Sequence, residues 1–482
     1  MADVKTEDVG KKEWTGGAVL VAGGTDWAQL GRAVRRKKND VNKKEAEERA
    51  ERAERYPNLL EPHRIKTLMG VKIRFVAAGS AACHCIAGDM DGRCFTWGRN
   101  EKGQLGHGDL IQRNMPVIVE SLADSKIIGA CGGRHHTAFV AEDGKSYTCG
   151  SNLHGQCGTG VIKSKEKSEE LIKDPMEAKV SDCTAVSCGI EFTMWLCDGK
   201  LYAAGLPQYG QLGDGSDHEY NAKEASVKLV YAPQPTPIYL ETLAERKVVA
   251  VTCGHYHTIA VDSDGIAFSW GFGGYGRLGH KVQQDEHKPR PIETFLGRIR
   301  VEKDEGLVIA AGGTSSFSTT TGGELYSWGK LKTNGDSTMY PVPFAGLSGW
   351  KIRSMACGPS TFTVAADSSV ITWGHALYGE LGYGPEGKKS SVNPDKCEAL
   401  EGMYAHQVAS GVGYNMFLVE ATEEELEKFP VWECDHEEKA KDPVESKTKT
   451  APQGRASGKA KTNPKRKTAD TSGKGSKSKK RK

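Results

Sequence analysis

One string, Trp-Gly followed by Gly-Gln-Leu-Gly, returns along this chain and narrows what it can fold into. It is fullest in WGRNEKGQLGHGD, residues 97–109. Related copies are Cys149-Gly150 with Gly155-Gln156-Cys157-Gly158, Ala204-Gly205 with Gly210-Gln211-Leu212-Gly213, Trp270-Gly271 with Gly276-Arg277-Leu278-Gly279, and Trp373-Gly374 with Gly379-Glu380-Leu381-Gly382. The two leading glycines stand five positions apart in each copy. Self-similarity at a period near 50 residues marks a repeat architecture.

A second motif precedes each copy. It reads Cys253-Gly254-His255-Tyr256-His257-Thr258, with relatives at Gly132–Thr137, Cys188–Thr193 and Cys357–Phe362 and weaker copies at Ala311–Ser316 and Ser80–Cys85. It appears once more at Ser410–Asn415, where a Glu-rich stretch follows instead of Trp-Gly. The missing half lies at the other end of the chain, where Ala22-Gly23 precedes Ala28-Gln29-Leu30-Gly31 at the same spacing. Seven first halves thus match seven second halves, one pair being split between the termini. The copy at Trp328-Gly329 keeps its first part and loses the second, reading KLKTNG.

Apolar residues alternate with period two, as in Ile259 and Val261, then Phe268 and Trp270. Asp-Gly pairs at Asp91-Gly92, Asp143-Gly144, Asp198-Gly199 and Asp264-Gly265 punctuate them. Short strands joined by such turns form antiparallel sheets. One small sheet cannot bury its faces alone, so copies must stack. Radial stacking predicts an all-β, seven-bladed propeller over residues 17–420, closed by pairing Gly17–Ala22 with strands from Gln407–Val419. Glycine, 58 of 482 residues, is well above the usual ~7%, which suits many tight turns.

The rest of the chain divides around that ring. Residues 1–16 read as a short tail. The charged segment 32–56 reads as a solvated helical or disordered insertion, or as a contact arm for an acidic partner. Residues 214–238 form a long inter-blade loop, a place for function or for tolerated insertion. Residues 421–445 read as an acidic linker. From Ser446 to Lys482 there are 14 Lys or Arg and one acid, Asp470, so this segment carries +13; the chain carries +3, leaving −10 on residues 1–445. With almost no apolar residues, the tail is expected to be disordered. Its clusters Lys465-Arg466-Lys467 and Lys479-Lys480-Arg481-Lys482 read as nuclear import or nucleic-acid contacts. No apolar run of 18 residues is present, so no membrane span is expected. The opening MADVKTEDVGKKEW has no apolar signal core, and thirteen cysteines are then expected as reduced thiols in the cytosol or nucleus.

Catalytic chemistry finds little footing. His84, His136 and His257 share a repeat position, but Phe192, Ser315, Thr361 and Tyr414 fill the same slot elsewhere. That mixture suits a hydrogen-bonding or packing role better than a ligand set. The slot of Cys188, Cys253 and Cys357 also holds Ser80, Gly132, Ala311 and Ser410, which reads as small and buried rather than zinc-binding. Neither catalytic residues, nor a metal, nor a cofactor are expected. A metal-dependent propeller hydrolase stays as an alternative, as does a general interaction adaptor.

The paired motifs resemble the regulator of chromosome condensation repeat family over roughly residues 17–420. WGRNEKGQLGHGD, LPQYGQLG at 206–213, WGFGGYGRLGH at 270–280, STMYP at 337–341 and GELGYG at 379–384 are similar to the family's second branch and its plant counterparts. The resemblance implies a seven-bladed propeller that binds small GTPases of the Rac and Arf types. It also implies association with chromosomes and spindle microtubules in mitosis, and residence in nucleus and cytoplasm. The family's founding member is a nucleotide exchange factor for Ran. Exchange needs no catalytic group, because tighter binding of the nucleotide-free GTPase lowers nucleotide affinity by linkage. In animal members of the branch the basic extension is N-terminal; here it is C-terminal, and the 32–56 insertion is outside the family pattern. The expected GTPase surface comprises Arg99, Asn100, Glu101, Lys102, Phe272, Tyr275 and Tyr378 with the 214–238 loop. The expected partner of the tail is chromatin, DNA or RNA.

Overall fold

The structure is a computed structural model that describes residues 14–32, 43–162, 164–165, 168–169, 171–224, 226–301, 307–332 and 334–434. Seven antiparallel sheets follow one another as the blades of a propeller. Blade 1 holds Ile73–Ala77, His84–Asp89, Cys94–Gly98 and Arg113–Ile118. Blade 2 begins at Ile127–Gly132, blade 3 at Cys183–Cys188, blade 4 at Val248–Cys253, blade 5 at Ile309–Ala311 and blade 6 at Ile352–Cys357.

Blade 7 is the split one. Tyr404–Ser410 and Tyr414–Glu420 come from the C-terminal side, Ala18–Gly23 and Leu59–Ile65 from the N-terminal side. Val19 faces Leu418, Leu20 faces Phe417 and Val21 faces Met416 across the joint. All six are buried, so the joint carries apolar packing as well as backbone hydrogen bonds. The expected closure is present.

The core is distributed between blades. In blade 4, Phe268 and Trp270 join a cluster with Phe192, Leu212 and Leu240 of blade 3. Ile259 and Val261 point the other way, into a cluster with Tyr326 and Trp328 of blade 5. Period-two alternation therefore does not separate apolar from polar faces here. Both faces of an inner strand are buried, each against a different neighbour, and His257–Asp262 is buried along its whole length.

Three segments add detail to the sequence reading. Within the 32–56 insertion, Lys43–Arg55 is an α-helix. It is tied down by Arg52, which holds Asp26 through two hydrogen bonds of 2.5 and 2.6 Å. The long loop of blade 3 folds back as a hairpin, Glu219–Asn221 against Leu229–Tyr231, before Gln234–Tyr239 completes the blade. The stretch after Glu420 is ordered through Cys434. Thr422 caps a short helix, Glu423–Leu426, and Val431–Trp432 adds a parallel strand beside Arg64–Ile65. Leu426, Phe429 and Trp432 are buried there, which a Glu-rich linker did not suggest. The two basic clusters lie outside the described residues.

Candidate partner-binding face

Two sets of loops emerge at one end of the ring: the turns that hold the Cys-Gly motif and the loops that follow Trp-Gly. The turns form a rim around the axis. Arg134 N donates to Ile190 O at 3.3 Å, Ile190 N to His255 O at 3.2 Å and His255 N to Gly312 O at 3.2 Å. The axial channel, about 180 Å³, is lined by the first strand of each blade, with Ala78, Cys131, Cys188 and Cys253 among its small side chains.

The histidine slot joins neighbouring blades. His84 Nε2 lies 2.7 Å from Thr137 Oγ1, His136 Nε2 2.9 Å from Thr193 Oγ1, and His257 Nε2 2.9 Å from Ser316 Oγ. Each hydroxyl donates its proton onward, Thr137 to Gln104 O at 2.6 Å, Thr193 to Gln156 O at 2.7 Å and Ser316 to Arg277 O at 2.8 Å. A hydroxyl has one proton, so each imidazole must donate from Nε2. The Nδ1 atoms of all three are buried without a partner. Protonation there would bury an unpaired N–H and a charge. Burial accordingly pushes His84 and His136 down to about 3 and His257 well below the ordinary value. These histidines hold blades together as neutral donors.

The Trp-Gly glycine is fixed by close approach. Gly98 has φ +111°, and a Cβ there would stand 2.6 Å from the Cα of His84. After it, two side chains brace the loop from within. Asn100 accepts from Leu105 N at 3.0 Å and donates to Ile111 O at 3.0 Å; Asn152 does the same in blade 2. Gln104 accepts from Lys102 N, Gln156 from His154 N and Gln211 from Tyr209 N. Glu380 fills the slot in blade 6, accepting from Tyr378 N at 2.7 Å.

The expected surface residues divide accordingly. Arg99 is buried and donates to Trp27 O at 3.0 Å and to Leu30 O, so its charge ties blade 1 to blade 7. Asn100 is 1% exposed and serves its own loop. Tyr378 is half-buried and packs beside Leu30 and Val412. Glu101 is at the surface, paired with Arg32 at 2.5 Å, and Lys102 lies beside it. Tyr275 is 44% exposed and sits in the left-handed region, φ +63°.

Phe272 and Tyr275 belong to a larger cluster of which the sequence showed only part. Arg277 replaces the usual glutamine and cannot accept a hydrogen bond. It donates instead to Gly274 O at 2.9 Å and, across the seam, to Gly313 O at 2.6 Å. Its guanidinium lies 4.6 Å from the Phe272 ring and 5.7 Å from that of Tyr275. Lys330 approaches Tyr275 from the next blade at 5.2 Å. Tyr209 stands 4.7 Å from Phe272 and 5.3 Å from Tyr256. Four aromatic rings and two cations from blades 3, 4 and 5 thus share the loop face. The lone arginine in the glutamine slot was the available signal for this cluster.

The sequence profile of the Regulator of chromosome condensation (RCC1) repeat matches residues 91–140, 143–196, 198–261 and 264–317. The chain is 38% identical over 434 residues to the Protein RCC2 homolog of Xenopus laevis, covering 86% of this chain and 80% of that protein. It is 37% identical over 432 residues to Protein RCC2 of Homo sapiens, with 86% and 79% covered. Among solved structures, human WBSCR16 superposes with a TM-score of 0.64 at 21% identity, covering 84% of this chain and 99% of that one. Prp20p of Saccharomyces cerevisiae, described together with its binding to Gsp1p and histones, gives 0.62 at 19% identity, covering 86% and 94%. The two structures share the fold.

Proposed function

This chain belongs to the regulator of chromosome condensation repeat family, in its RCC2 branch, and we propose that it is a non-enzymatic scaffold that binds a small GTPase through its loop face and chromatin, DNA or RNA through its basic tail. The GTPase is of the Rac, Arf or Ran type, and the protein works in nucleus and cytoplasm and on chromosomes or spindle microtubules in division. The observation that carries this reading is the aromatic and cationic cluster around Tyr275. Exposed Tyr beside Arg, held in place by packing, is what protein interfaces use as anchors. The binding of Gsp1p described for Prp20p supports a GTPase as the partner. Nucleotide exchange follows from preferential binding of the nucleotide-free state and asks for no nucleophile, base or metal. The neutral, hydrogen-bonded histidines favour this over a hydrolytic ring.

The test is capture of nucleotide-free Rac-, Arf- and Ran-type proteins by the full chain and by two variants. Tyr275→Ala, and Glu101→Lys with Lys102→Glu, change surface side chains. We expect one GTPase to be retained, and Tyr275→Ala to weaken it about 30-fold with thermal stability unchanged. Equal capture by wild type and both variants removes this face from the contact. Capture of none of the three favours the adaptor reading.

A further inference from the structure

Most seams of this ring are closed by one device. The loop after Trp-Gly lies over the outer strand of the next blade, and its glycines abut that strand. A Cβ on Gly103 would stand 3.1 Å from the Cα of Lys173, one on Gly106 3.0 Å from the Pro175 ring, one on Gly276 2.7 Å from the Cα of Met339 and one on Gly379 3.0 Å from the Cα of Leu60. The loop's leucine is driven into the seam: Leu30, Leu105, Leu212, Leu278 and Leu381 are at most 1% exposed. The carbonyl before that leucine accepts from the next blade, as Gln211 O does from Trp270 Nε1 at 3.0 Å and Arg277 O from Trp328 Nε1 at 2.7 Å.

The seam between blades 5 and 6 lacks this device. Gly329 pairs with Thr338, nine positions on, whereas Gly98 and Gly271 pair with Arg113 and Glu286, fifteen on. The loop is six residues shorter and holds no Gly-x-Leu-Gly. Blade 6 has changed to match: Phe362 stands where Thr137, Thr193 and Ser316 supply the hydroxyl. Donor and acceptor are therefore missing together. An aromatic cluster replaces them, with Phe317 to Phe362 at 5.2 Å, Phe362 to Trp373 at 5.3 Å and Phe344 stacked on Trp373 at 5.3 Å. It does not fill the seam. Phe344 is half-buried where the equivalent Val119, Leu240, Ile292 and Cys397 are buried. Val392, on the uncovered outer strand, is 63% exposed. A crevice of about 250 Å³ remains, lined by Leu331, Phe344, Trp373, His375, Ser390 and Val392 among others.

We propose that this crevice docks a partner polypeptide presenting a leucine on a glycine-bearing turn, which supplies from another protein the loop that blade 5 lacks. The equivalent seams of the same molecule display the occupant. They hold a leucine, flanked by glycines that let backbone approach backbone, with a carbonyl facing an indole N–H. The lining here offers the same chemistry, apolar walls and the Trp373 ring. The undescribed residues 1–13, 33–42, 163, 166–167, 170, 225, 302–306, 333 and 435–482 hold no leucine, so this occupant is sought in another protein. This inference does not depend on the GTPase reading.

The probe is a cyclic peptide with the sequence of Gly274–His280, titrated into the full-length protein by calorimetry, alongside the same peptide with alanine for leucine. We expect saturable one-to-one binding, at least about tenfold weaker without the leucine. Two variants close the crevice. One replaces Lys330–Ser337 with the blade 4 loop, Phe272–Asp285; the other is Val392→Trp at the exposed rim. Both should abolish peptide binding, and the graft should raise the melting temperature by a few degrees. No binding, binding indifferent to the leucine, or binding undiminished in Val392→Trp overturns the proposal. So does concentration-dependent dimerisation of the wild type that is lost in the same variant, which assigns the crevice to a second copy.

Discussion

At the scale of single residues, one hydroxyl does two things at each polar seam. Thr137 accepts from His84 and donates to Gln104 O, so its removal leaves the buried His84 N–H unpaired and leaves Gln104 O with only the weak thiol donor of Cys149 at 3.4 Å. Thr137→Val keeps the shape and should cost about 1–3 kcal/mol; Thr137→Ser, as nature uses at Ser316, should cost far less. Chemical denaturation of the three proteins decides. The histidines add a pH dependence whose sign is fixed. His84 and His136 sit near 3 in the fold and near 6.5 when unfolded. Between those values the unfolded chain binds the extra protons. Stability is therefore complete above about 6.5 and falls as pH drops toward 3, each histidine contributing about 1.4 kcal/mol per pH unit inside the window. Phe192 already occupies this slot in blade 3, so His136→Phe should fold and lose one proton's worth of slope between pH 6 and 4. An unchanged slope would mean that His136 is charged in the native ring.

At the scale of elements, the strand Ala18–Gly23 matters most. It buries Val19, Leu20 and Val21 and stands inside blade 7 between Tyr414–Glu420 and Leu59–Ile65, pairing with both. Burying such side chains contributes ~1.5–3 kcal/mol each, and whole domains are stable by only about 5–15 kcal/mol. Deleting residues 1–31 should therefore abolish cooperative melting of the entire ring. A truncated protein that melts cooperatively at the original temperature would show that blade 7 closes without it. This closure was legible because both halves of a motif could be counted and one pair fell at opposite ends. The strap Val431–Trp432 was not, since two residues inside a Glu-rich stretch show no period. Arg99 and Asn100 looked like surface groups because they are polar and follow a turn. The recurrence of Asn at the same slot in Asn152 marked a loop brace, and the buried carbonyls of Trp27 and Leu30 that take Arg99 are distant in sequence and could not be read from it.

At the scale of the whole molecule, charge is divided between a ring and a tail. Residues 1–445 sum to −10 while residues 446–482 carry +13. Most of that negative charge lies on the 421–445 linker, with ten acids against three lysines, and the ring itself is close to neutral, so affinity for nucleic acid should reside in the tail alone. The tail has almost no apolar residues with which to build a folded reader of bases, so its contacts should go to phosphates and be indifferent to sequence. Each neutralised phosphate releases counterion. With about six to ten contacts, affinity should fall by roughly a thousandfold or more between 50 and 200 mM salt. Two proteins test this against the full chain: residues 1–445, and a full-length form with Lys465–Lys467 and Lys479–Lys482 changed to alanine. Both should keep the GTPase bound by the loop face. The first should lose DNA and RNA binding altogether, and the second should show a shallower salt slope and reduced nuclear entry. If residues 1–445 bind DNA as tightly as the full chain at the same salt, the ring carries the contact and the tail's charge serves another purpose.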